Sequence, residues 1–266
     1  MVSAIILTKN EAQNLSDCLK SIHWIDDQIV LDSGSVDETV AIAEKSGARV
    51  FTNPFRSFGQ QRNWALDNCS PKYDWILFID ADERSTPAFQ NAVTAAIQRA
   101  PNDVAGFYCC CKMMFEGVWL KRCDSFPKWQ LRLLRKGRVR FVDFGHGQKE
   151  GTIDGRIDYI REPYLHFPAS KGLSDWIDRH NRYAEQEAAA RASEPIVWKN
   201  IFSGNGSTRN RALKPFVSRI PGWPLLRFLW PYIFRFGFLE GRAGLKYCLH
   251  LARYERLIQV KVKERP

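Results

Sequence analysis

The first hundred residues alternate short apolar runs with segments of helical periodicity, a pattern that leaves few folds open. The apolar runs have the length and composition of buried strands and lie at residues 2–7, 28–31, 48–52 and 75–79. The helical segments lie at residues 11–22, 36–45, 60–68 and from about residue 86 onward. Strand and helix in this order are typical of a parallel sheet with helices on both faces. We therefore predict an α/β chain with a doubly wound, mostly parallel sheet.

Local signals predict where some helices begin. Ser35 followed by Glu38 has the spacing of a capping box, which places the start of the second helix at Val36. Pro87 suits the first turn of the fourth helix. Beyond Pro101 the regular alternation is lost. Strands are predicted at residues 104–112, 131–134 and 139–142, and an amphipathic surface helix at 173–192.

Polar side chains follow three of the predicted strands. In open parallel sheets, ligands bind in the crevice at the carboxyl ends of the strands, so these residues should share one rim. They are Thr8, Asn10 and Glu11 after the first strand, Asp32 after the second, and Asp80 and Asp82 after the fourth.

Asp80 and Asp82 stand two residues apart, which on an extended strand end would point both carboxylates to the same side. Two hard oxygen donors suit Mg²⁺ or Mn²⁺ rather than zinc, and such an ion can hold a diphosphate. The D-x-D pattern alone is a weak signal, because a solvated turn between strand and helix has the same residues.

Cysteine usage and the N-terminus indicate the compartment. The seven cysteines contain no CxxC pair, which favours free thiols in a reducing environment over a disulfide framework. Residues 1–14 lack the basic and apolar regions of a secretory signal. We expect a cytoplasmic protein.

Four motifs occur in a fixed order: ILTKNEAQNL, VLDSGSVDETVAIAE, GQQRNWAL and FIDADE. In order and spacing the chain resembles family-2 glycosyltransferases of the GT-A fold, and within them the branch of lipopolysaccharide-core and β-glucosyltransferases. The resemblance is strong over residues 1–100 and looser to about 190. It implies an inverting transferase that takes a sugar from a nucleoside diphosphate, most commonly UDP, with Mg²⁺ or Mn²⁺ polarising the departing diphosphate.

The resemblance also implies roles for single residues and parts of the chain. Residues 1–100 would bind the nucleotide sugar and 101–195 the acceptor, while the composition of 196–266 predicts a basic, aromatic helical tail. Asp82 would be the principal metal ligand and Asp80 would lie near the ribose and metal. The nucleoside side would comprise Thr8, Asn10, Glu11, Asp32, Gln61 and Arg62.

An inverting transfer needs a general base for the acceptor hydroxyl. The candidates lie in the segment RFVDFGHGQKE: Glu150 first, then Asp143 and His146. In relatives that act on lipopolysaccharide core, a His-Glu pair follows a similar RFVD stretch. Here the spacing differs and Lys149 precedes Glu150, so the resemblance does not single out one base.

Two further features concern the metal and the acceptor. His166 is a candidate ligand of the metal or diphosphate, since some members of this fold add an imidazole there; a structural histidine is the alternative. Aromatic and basic side chains could form a wall for the acceptor sugar or could belong to the core. They are Trp119, Lys121, Arg122 and Trp129.

The positive charge belongs to the C-terminal tail. Residues 199–266 contain 14 Lys/Arg and 3 Asp/Glu, a net charge of +11, although the whole chain carries +10. Arginines and prolines interrupt every apolar run there, which excludes a membrane-spanning helix. Aromatic residues alternating with arginine predict that 221–265 docks on an anionic membrane surface, at the inner face of the cytoplasmic membrane. A helical extension packed on the domain is the alternative.

Two other functions fit parts of the sequence. A nucleotidyltransferase building sugar nucleotides would use a similar sheet, but such enzymes open with a glycine-rich phosphate loop, and residues 2–14 contain no glycine. A nucleic-acid-binding protein would use the basic tail. The near-neutral body and the acidic strand end oppose it, and we expect no nucleic-acid partner. The expected acceptor is a lipid-linked saccharide, lipopolysaccharide core or another envelope glycan.

Overall fold

A computed structural model describes residues 1–144, 147–193, 198–202, 209, 213 and 220–264. The chain forms two compact units. The first, which we call the sheet unit, comprises Met1–Met114 and Phe126–Lys171, and the second, the helical unit, comprises Phe115–Ser125 and Gly172–Pro266. The predicted division at residues 100 and 195 concerns binding roles within the chain, and it stays a prediction.

The sheet unit is built on one mixed sheet. Its strands are β1 (Val2–Thr8), β2 (Asp27–Asp32), β3 (Arg49–Thr52), β4 (Trp75–Asp80), β5 (Glu83–Arg84), β6 (Val104–Phe115), β8 (Trp129–Arg135) and β11 (Arg156–His166). The order is β3-β2-β1-β4-β8-β6-β11-β5. The short strand β7 (Val118–Trp119) belongs to the helical unit. Strands β3, β2, β1 and β4 are parallel, as predicted. Strand β8 runs antiparallel to both β4 and β6, whereas β11 is parallel to β6.

Helices cover both faces of this sheet. They are α1 (Ala12–Ser21), α2 (Thr39–Lys45), α3 (Phe58–Asn68) and α4 (Pro87–Arg99). Along β4 the buried side chains alternate between two core clusters, with Leu77 and Ile79 in one and Ile76 and Phe78 in the other. This period of two means that each face of the strand meets its own apolar layer. The α/β class and the mostly parallel central sheet are therefore confirmed.

The start of α2 differs from the prediction. The helix begins at Thr39, and Ser35 does not cap it. Instead the Ser35 hydroxyl donates to Asp32 Oδ1 at 2.5 Å and accepts the Asn10 N–H at 2.7 Å. The local sequence allows a capping box, but in the fold the Ser35 hydroxyl is hydrogen-bonded to Asp32 and Asn10, which follow or end neighbouring strands. Pro87 does occupy the first position of α4, whose first turn is capped by Thr86.

A hairpin lies apart from the main sheet. Strands β9 (Val139–Phe144) and β10 (Gly147–Ile153) form an antiparallel pair. The Asn63 side chain of α3 exchanges two hydrogen bonds of 2.9 Å with the backbone of Phe141, which fixes the hairpin to that helix. Strands β8 and β9 were predicted, whereas β10 and β11 were not.

The helical unit contains α5 (Leu173–Ser193), α6 (Trp198–Ile201), α7 (Trp223–Leu229), a π-helical turn, a 3-10 turn and α8 (Gly241–Lys263). The helix predicted at 173–192 is thus confirmed. A buried ion pair of 3.0 Å between Arg191 and Glu255 joins α5 to α8, and the Trp223 indole donates to the same carboxylate. Within the described residues, no helix is long and apolar enough to cross a membrane.

Candidate active site

Two side chains from neighbouring strands meet at the carboxyl ends of β1 and β2. The Thr8 hydroxyl donates to Asp32 Oδ1 at 3.0 Å, and Asp32 Oδ2 accepts the backbone N–H groups of Gly34 and Ser35 at 2.9 and 2.7 Å. Asp32 is 2% exposed. The Asp32 carboxylate therefore fixes the backbone of the loop after β2. This loop lies at the rim where the nucleotide is predicted to bind.

Asn10 and Glu11 continue this rim after β1. Asn10 has a positive φ of 55°, and its side-chain oxygen accepts the Val36 N–H at 2.9 Å. The ammonium of Lys171 reaches both residues, at 2.8 Å from the Asn10 carbonyl and 2.6 Å from Glu11 Oε1. Burial raises the pKa of the Glu11 carboxyl, while Asn14 and Lys171 oppose the shift. Lys171 thus holds the loop and balances a partly buried charge.

Gln61 and Arg62, both on α3, are almost fully buried. The Gln61 amide donates to Ser33 Oγ at 3.1 Å and its oxygen accepts from Asn53 at 2.7 Å, so it joins the loops after β2 and β3. The Arg62 guanidinium lies over the Phe78 ring at 5.2 Å from its centroid and 3.5 Å from Asp80. Burial lowers the pKa of Arg62 to about 10.

Asp80 is held by two guanidinium groups. Arg62 approaches Oδ1 at 3.5 Å and Arg132 lies 2.8 Å from Oδ2. Although burial raises it, the charges of Arg132 and Arg62 hold the pKa of the Asp80 carboxyl well below its usual range. Arg132 also binds Glu83 at 2.5 Å and donates to the Tyr164 hydroxyl at 3.1 Å.

Asp82 has a different partner. Strand β4 ends at Asp80, so Asp82 lies in the following turn, and its Oδ2 is 3.5 Å from His166 Nε2. The prediction that the Asp80 and Asp82 carboxylates point to the same side assumed an extended backbone through Asp82. The backbone turns after Asp80 instead, and the two carboxylates contact different partners. Burial lowers the pKa of His166, but the charge and hydrogen bond of Asp82 outweigh it and raise that pKa well above its usual range. Asp82 thus stabilises positive charge at this point.

The Asp82–His166 pair fits a divalent cation. The two side chains are 16% and 25% exposed, so both can be reached from solvent. The Asp82 carboxylate, together with the His166 imidazole once a cation displaces its proton, is a suitable donor set for Mn²⁺ and leaves positions for water and phosphate oxygens. Among the described residues, no group of three or more His, Cys, Asp or Glu side chains forms a closed metal cage. The arrangement suits an ion that a diphosphate helps to hold.

Two of the candidate bases, Asp143 and Glu150, lie on the β9–β10 hairpin. Asp143 Oδ1 accepts the Gly59 N–H at 3.0 Å, in the first turn of α3, and a Cβ at Gly59 would lie 2.8 Å from that oxygen. Burial and the neighbouring Glu150 carboxylate raise the pKa of the Tyr108 hydroxyl to about 12, so Glu150 lies close to this ring. His146 lies outside the described residues. The structure therefore gives Asp143 a structural partner, and the base stays a prediction.

The residues of the predicted acceptor wall fall into separate units. In the sheet unit, Trp129 packs edge-on against Tyr159 at 4.9 Å, and Tyr159 packs against Tyr108 at 5.3 Å. Trp129 and Tyr159 are 37% and 55% exposed. In the helical unit, the Lys121 ammonium lies over the Trp119 ring at 5.5 Å, and Glu240 accepts the Arg122 N–H.

Two residues at the rim, Arg132 and Lys171, were missed from the sequence, and Glu83 was assigned only to the acidic strand end with Asp80 and Asp82. Arg132 carried a signal, since a lone arginine inside the apolar run LRLL conflicts with a buried strand unless it has a charged partner. Glu83 directly follows the D-x-D pattern. Lys171 had no sequence signal, because it reaches Glu11 from 160 residues away.

Comparison with known proteins identifies the family. The model of the family described as "Glycosyl transferase family 2" matches residues 3–148, more than half of the chain. The chain belongs to glycosyl transferase family 2. An uncharacterized glycosyltransferase of Rickettsia felis is 42% identical over 202 residues, covering 70% of this chain and 69% of the relative. This family-2 glycosyltransferase is therefore an enzyme that transfers a glycosyl group.

Two further comparisons concern the branch and the fold. A lipopolysaccharide core biosynthesis glycosyltransferase of Rhizobium meliloti, LpsC, is 27% identical over 212 residues, covering 76% of this family-2 chain and 77% of the relative. A mannosyltransferase of Pyrobaculum calidifontis, solved with GDP-mannose and Mn²⁺, has a TM-score of 0.51 and 17% identity, covering 99% of this chain and 87% of the other. The latter likeness supports the GT-A fold.

Proposed function

We propose that the protein is an inverting glycosyltransferase that moves a sugar from a nucleoside diphosphate, with Mg²⁺ or Mn²⁺, to a saccharide of the cell envelope. The observation that carries the proposal is the partly exposed pair of Asp82, in the turn after β4, and His166, at the end of β11. Asp82 stands two residues after the Asp80 that the arginines hold. The cation and the nucleotide would thus bind side by side at the carboxyl ends of the parallel strands, which is the usual ligand position in such sheets.

The donor side rests on the loops after β1 and β2. Asp32, Thr8 and Asn10 fix loop backbone at this rim, and the resemblance assigns these residues to the nucleoside. UDP is the expected carrier by that resemblance. The Pyrobaculum mannosyltransferase is in complex with a different sugar nucleotide, GDP-mannose, so the base and sugar must be found by experiment.

Asp82 and His166 would hold the cation, and Asp80 would lie beside the ribose. When bound, the cation supplies Lewis-acid stabilisation of the negative charge that develops on the departing diphosphate. The backbone holds Asp82 and His166 next to each other, because the N–H of Phe167, the residue after His166, donates to the Asp82 carbonyl at 2.8 Å. This chain's part is therefore to present two donors in a fixed place without reorganisation.

Glu150 is the proposed general base. It lies beside Tyr108, next to the exposed rings of Tyr159 and Trp129, which offer apolar faces for a sugar ring. In an inverting transfer it would take the proton of the acceptor hydroxyl as that oxygen attacks the anomeric carbon. The acceptor would be a lipid-linked saccharide or lipopolysaccharide core, as the name of the Rhizobium relative suggests.

The helical unit supports a position at a membrane surface. Trp230, Phe234 and Leu239 are 60%, 64% and 63% exposed, and they lie close in sequence to Arg227 and Arg235. Exposed aromatic and apolar side chains beside arginines suit the headgroup region of an anionic leaflet. We place the protein peripherally, at the inner face of the cytoplasmic membrane, where a lipid-linked acceptor would be available.

Release of nucleoside diphosphate tests the function. Purified full-length protein is incubated with UDP-, GDP- and dTDP-sugars, with Mn²⁺ or with EDTA, and with membrane-extracted glycolipid or without it. The proposal predicts nucleoside diphosphate release from one donor, dependent on Mn²⁺ and increased by glycolipid. Pyrophosphate formation from a nucleoside triphosphate and a sugar phosphate would instead identify a nucleotidyltransferase and contradict the proposal.

A further inference from the structure

Where strands β8 and β6 pair, one residue of β8 has no counterpart in β6. Phe107 pairs with Leu133 and Tyr108 pairs with Leu131, so Arg132 stands between two consecutive pairs and has no partner of its own. This is a β-bulge, which bends the strand locally and changes the direction of the side chain at the extra residue. The extra residue here is the arginine.

The bulge changes the face to which this part of β8 points. In a regular strand, residues two apart share one face of the sheet. Leu131 and Leu133 are two apart but belong to opposite core clusters. Arg132 lies on the side of Leu133, where it donates to the hydroxyl of Tyr164, a member of the same cluster. Without the extra residue, the guanidinium would not have this direction.

The guanidinium reaches two carboxylates near the end of β4. Its Nη2 lies 2.8 Å from Asp80 Oδ2 and 2.5 Å from Glu83 Oε1, while Glu83 Oε2 accepts the Asp80 N–H at 2.8 Å. Arg132 is 4% exposed and Glu83 is 1% exposed. Buried carboxylates need such a partner, because an unpaired buried charge is strongly unfavourable. Both oxygens of Asp80 and both oxygens of Glu83 are therefore engaged by the protein.

We propose that Arg132 is a positioning residue that keeps the Asp80 carboxylate away from the cation, so that Asp82 and His166 are the side chains that hold it. The inference rests on the proposed function. It follows from the different partners of the two aspartates: two guanidinium groups for Asp80 and an imidazole for Asp82. The Asp80 carboxylate, its charge balanced by the two arginines, then stays fixed beside the ribose. The cation would keep coordination positions free for the oxygens of the diphosphate.

Loss of the guanidinium should change metal binding in a characteristic direction. Without Arg132, the Asp80 carboxylate keeps only the longer contact to Arg62 and can turn towards a cation at Asp82. A second carboxylate ligand tightens cation binding, but it fills a position that the diphosphate needs. A purely structural role predicts the opposite sign, because a disordered turn would weaken the Asp82 site.

The test measures Mn²⁺ binding without nucleotide, by electron paramagnetic resonance of free Mn²⁺, in full-length protein. Arg132→Gln should bind Mn²⁺ about tenfold more tightly, the order expected for one added charge nearby, and should release nucleoside diphosphate at least 100-fold more slowly. Asp80→Asn should leave Mn²⁺ affinity within threefold in the wild-type background and should cancel the gain in Arg132→Gln. Arg156→Gln, at a surface ion pair with Asp103, is the control.

A second variant keeps the proposal testable if Arg132→Gln folds poorly. Arg132→Gln combined with Glu83→Gln removes both buried charges, which restores stability in many buried pairs, and it should show the same gain in Mn²⁺ affinity. Weaker Mn²⁺ binding in either variant, or a large loss from Asp80→Asn alone, would overturn the positioning role while leaving the transferase intact. Wild-type protein that neither binds Mn²⁺ nor releases nucleoside diphosphate would overturn the proposed function and this inference together.

Discussion

His166 Nε2 lies 3.5 Å from Asp82 Oδ2 and joins the last residue of β11 to the turn after β4. The pairing of β11 with β5 sets this contact, because His166 stands opposite Glu83, the residue that follows Asp82. The imidazole is therefore placed by sheet register and not by a flexible loop. A cation at Asp82 would find its second protein donor already in position.

Replacing His166 tests whether it contributes to metal binding. His166→Ala should weaken Mn²⁺ binding about tenfold or more, the range found when a group that supports a metal site is lost. Free Mn²⁺ measured by electron paramagnetic resonance gives the dissociation constant. His23→Ala, at an exposed histidine, is the matched control and should bind as the wild type does. Equal Mn²⁺ affinity in both variants would show that His166 has a structural role alone.

Glu150 and Asp143 can be separated as candidate bases. Glu150→Gln should lower the rate of transfer by about 10²-fold to 10⁴-fold, the usual contribution of a general base, and leave donor binding intact. Asp143→Asn keeps the oxygen that accepts the Gly59 N–H, so it should retain both stability and transfer. Single-turnover transfer and thermal unfolding are measured for each. If Asp143→Asn is the inactive variant and folds normally, the assignment must be reversed.

Lys171 should stabilise the loop that carries Asn10 and Glu11. Lys171→Met leaves a partly buried carboxylate without its cation, and we expect the free energy of unfolding to fall by about 1–3 kcal/mol. The KM for the donor should also rise, because the ammonium holds the Asn10 carbonyl at 2.8 Å. Glu11→Gln in the same chain should recover much of the stability. Lys20→Met, at a surface lysine, serves as control. A donor KM equal to that of the control would contradict the loop role.

Some of this site could be predicted from local sequence. Five apolar residues before Asp80 require a buried strand, and a buried strand in a parallel sheet ends at the ligand rim. The helix at Leu173–Ser193 was found because its periodicity extends over five turns. Ser35 was misassigned because its hydroxyl suits a cap as well as Asp32, and only the fold brings Asp32 and Asn10 to it.

Other features depend on contacts between distant parts of the chain. Strand β11 is irregular between Ile160 and Tyr164, which obscures its alternation in the sequence. The role of Arg132 depends on a bulge, and a bulge is a property of two paired strands and not of one segment. The Lys171 contact joins residues 160 positions apart. Arg132 and Lys171 supply the positive charges that pair with the carboxylates of the site. The sequence therefore predicted the carboxylates of the site better than the basic residues that pair with them.

Membrane docking is tested by flotation with vesicles. Full-length protein should float with vesicles rich in anionic phospholipid at low salt and stay in the soluble fraction with zwitterionic vesicles. Trp230→Ser with Phe234→Ser should reduce flotation at least fivefold, because two exposed aromatic anchors are lost. Phe55→Ser, at an exposed ring of the sheet unit, is the control. Protein that does not float with anionic vesicles at low salt contradicts the proposed surface.

Cation-dependent donor binding tests the central claim most directly. Thermal unfolding is followed with each sugar nucleotide, with and without Mn²⁺, in wild type, Asp82→Asn and the surface control Asp103→Asn. Ligands that bind the folded state raise its stability by mass action. One donor should stabilise wild type and Asp103→Asn only when Mn²⁺ is present, and Asp82→Asn should show no shift. Equal Mn²⁺-dependent stabilisation of Asp82→Asn would contradict the assignment of the cation to Asp82.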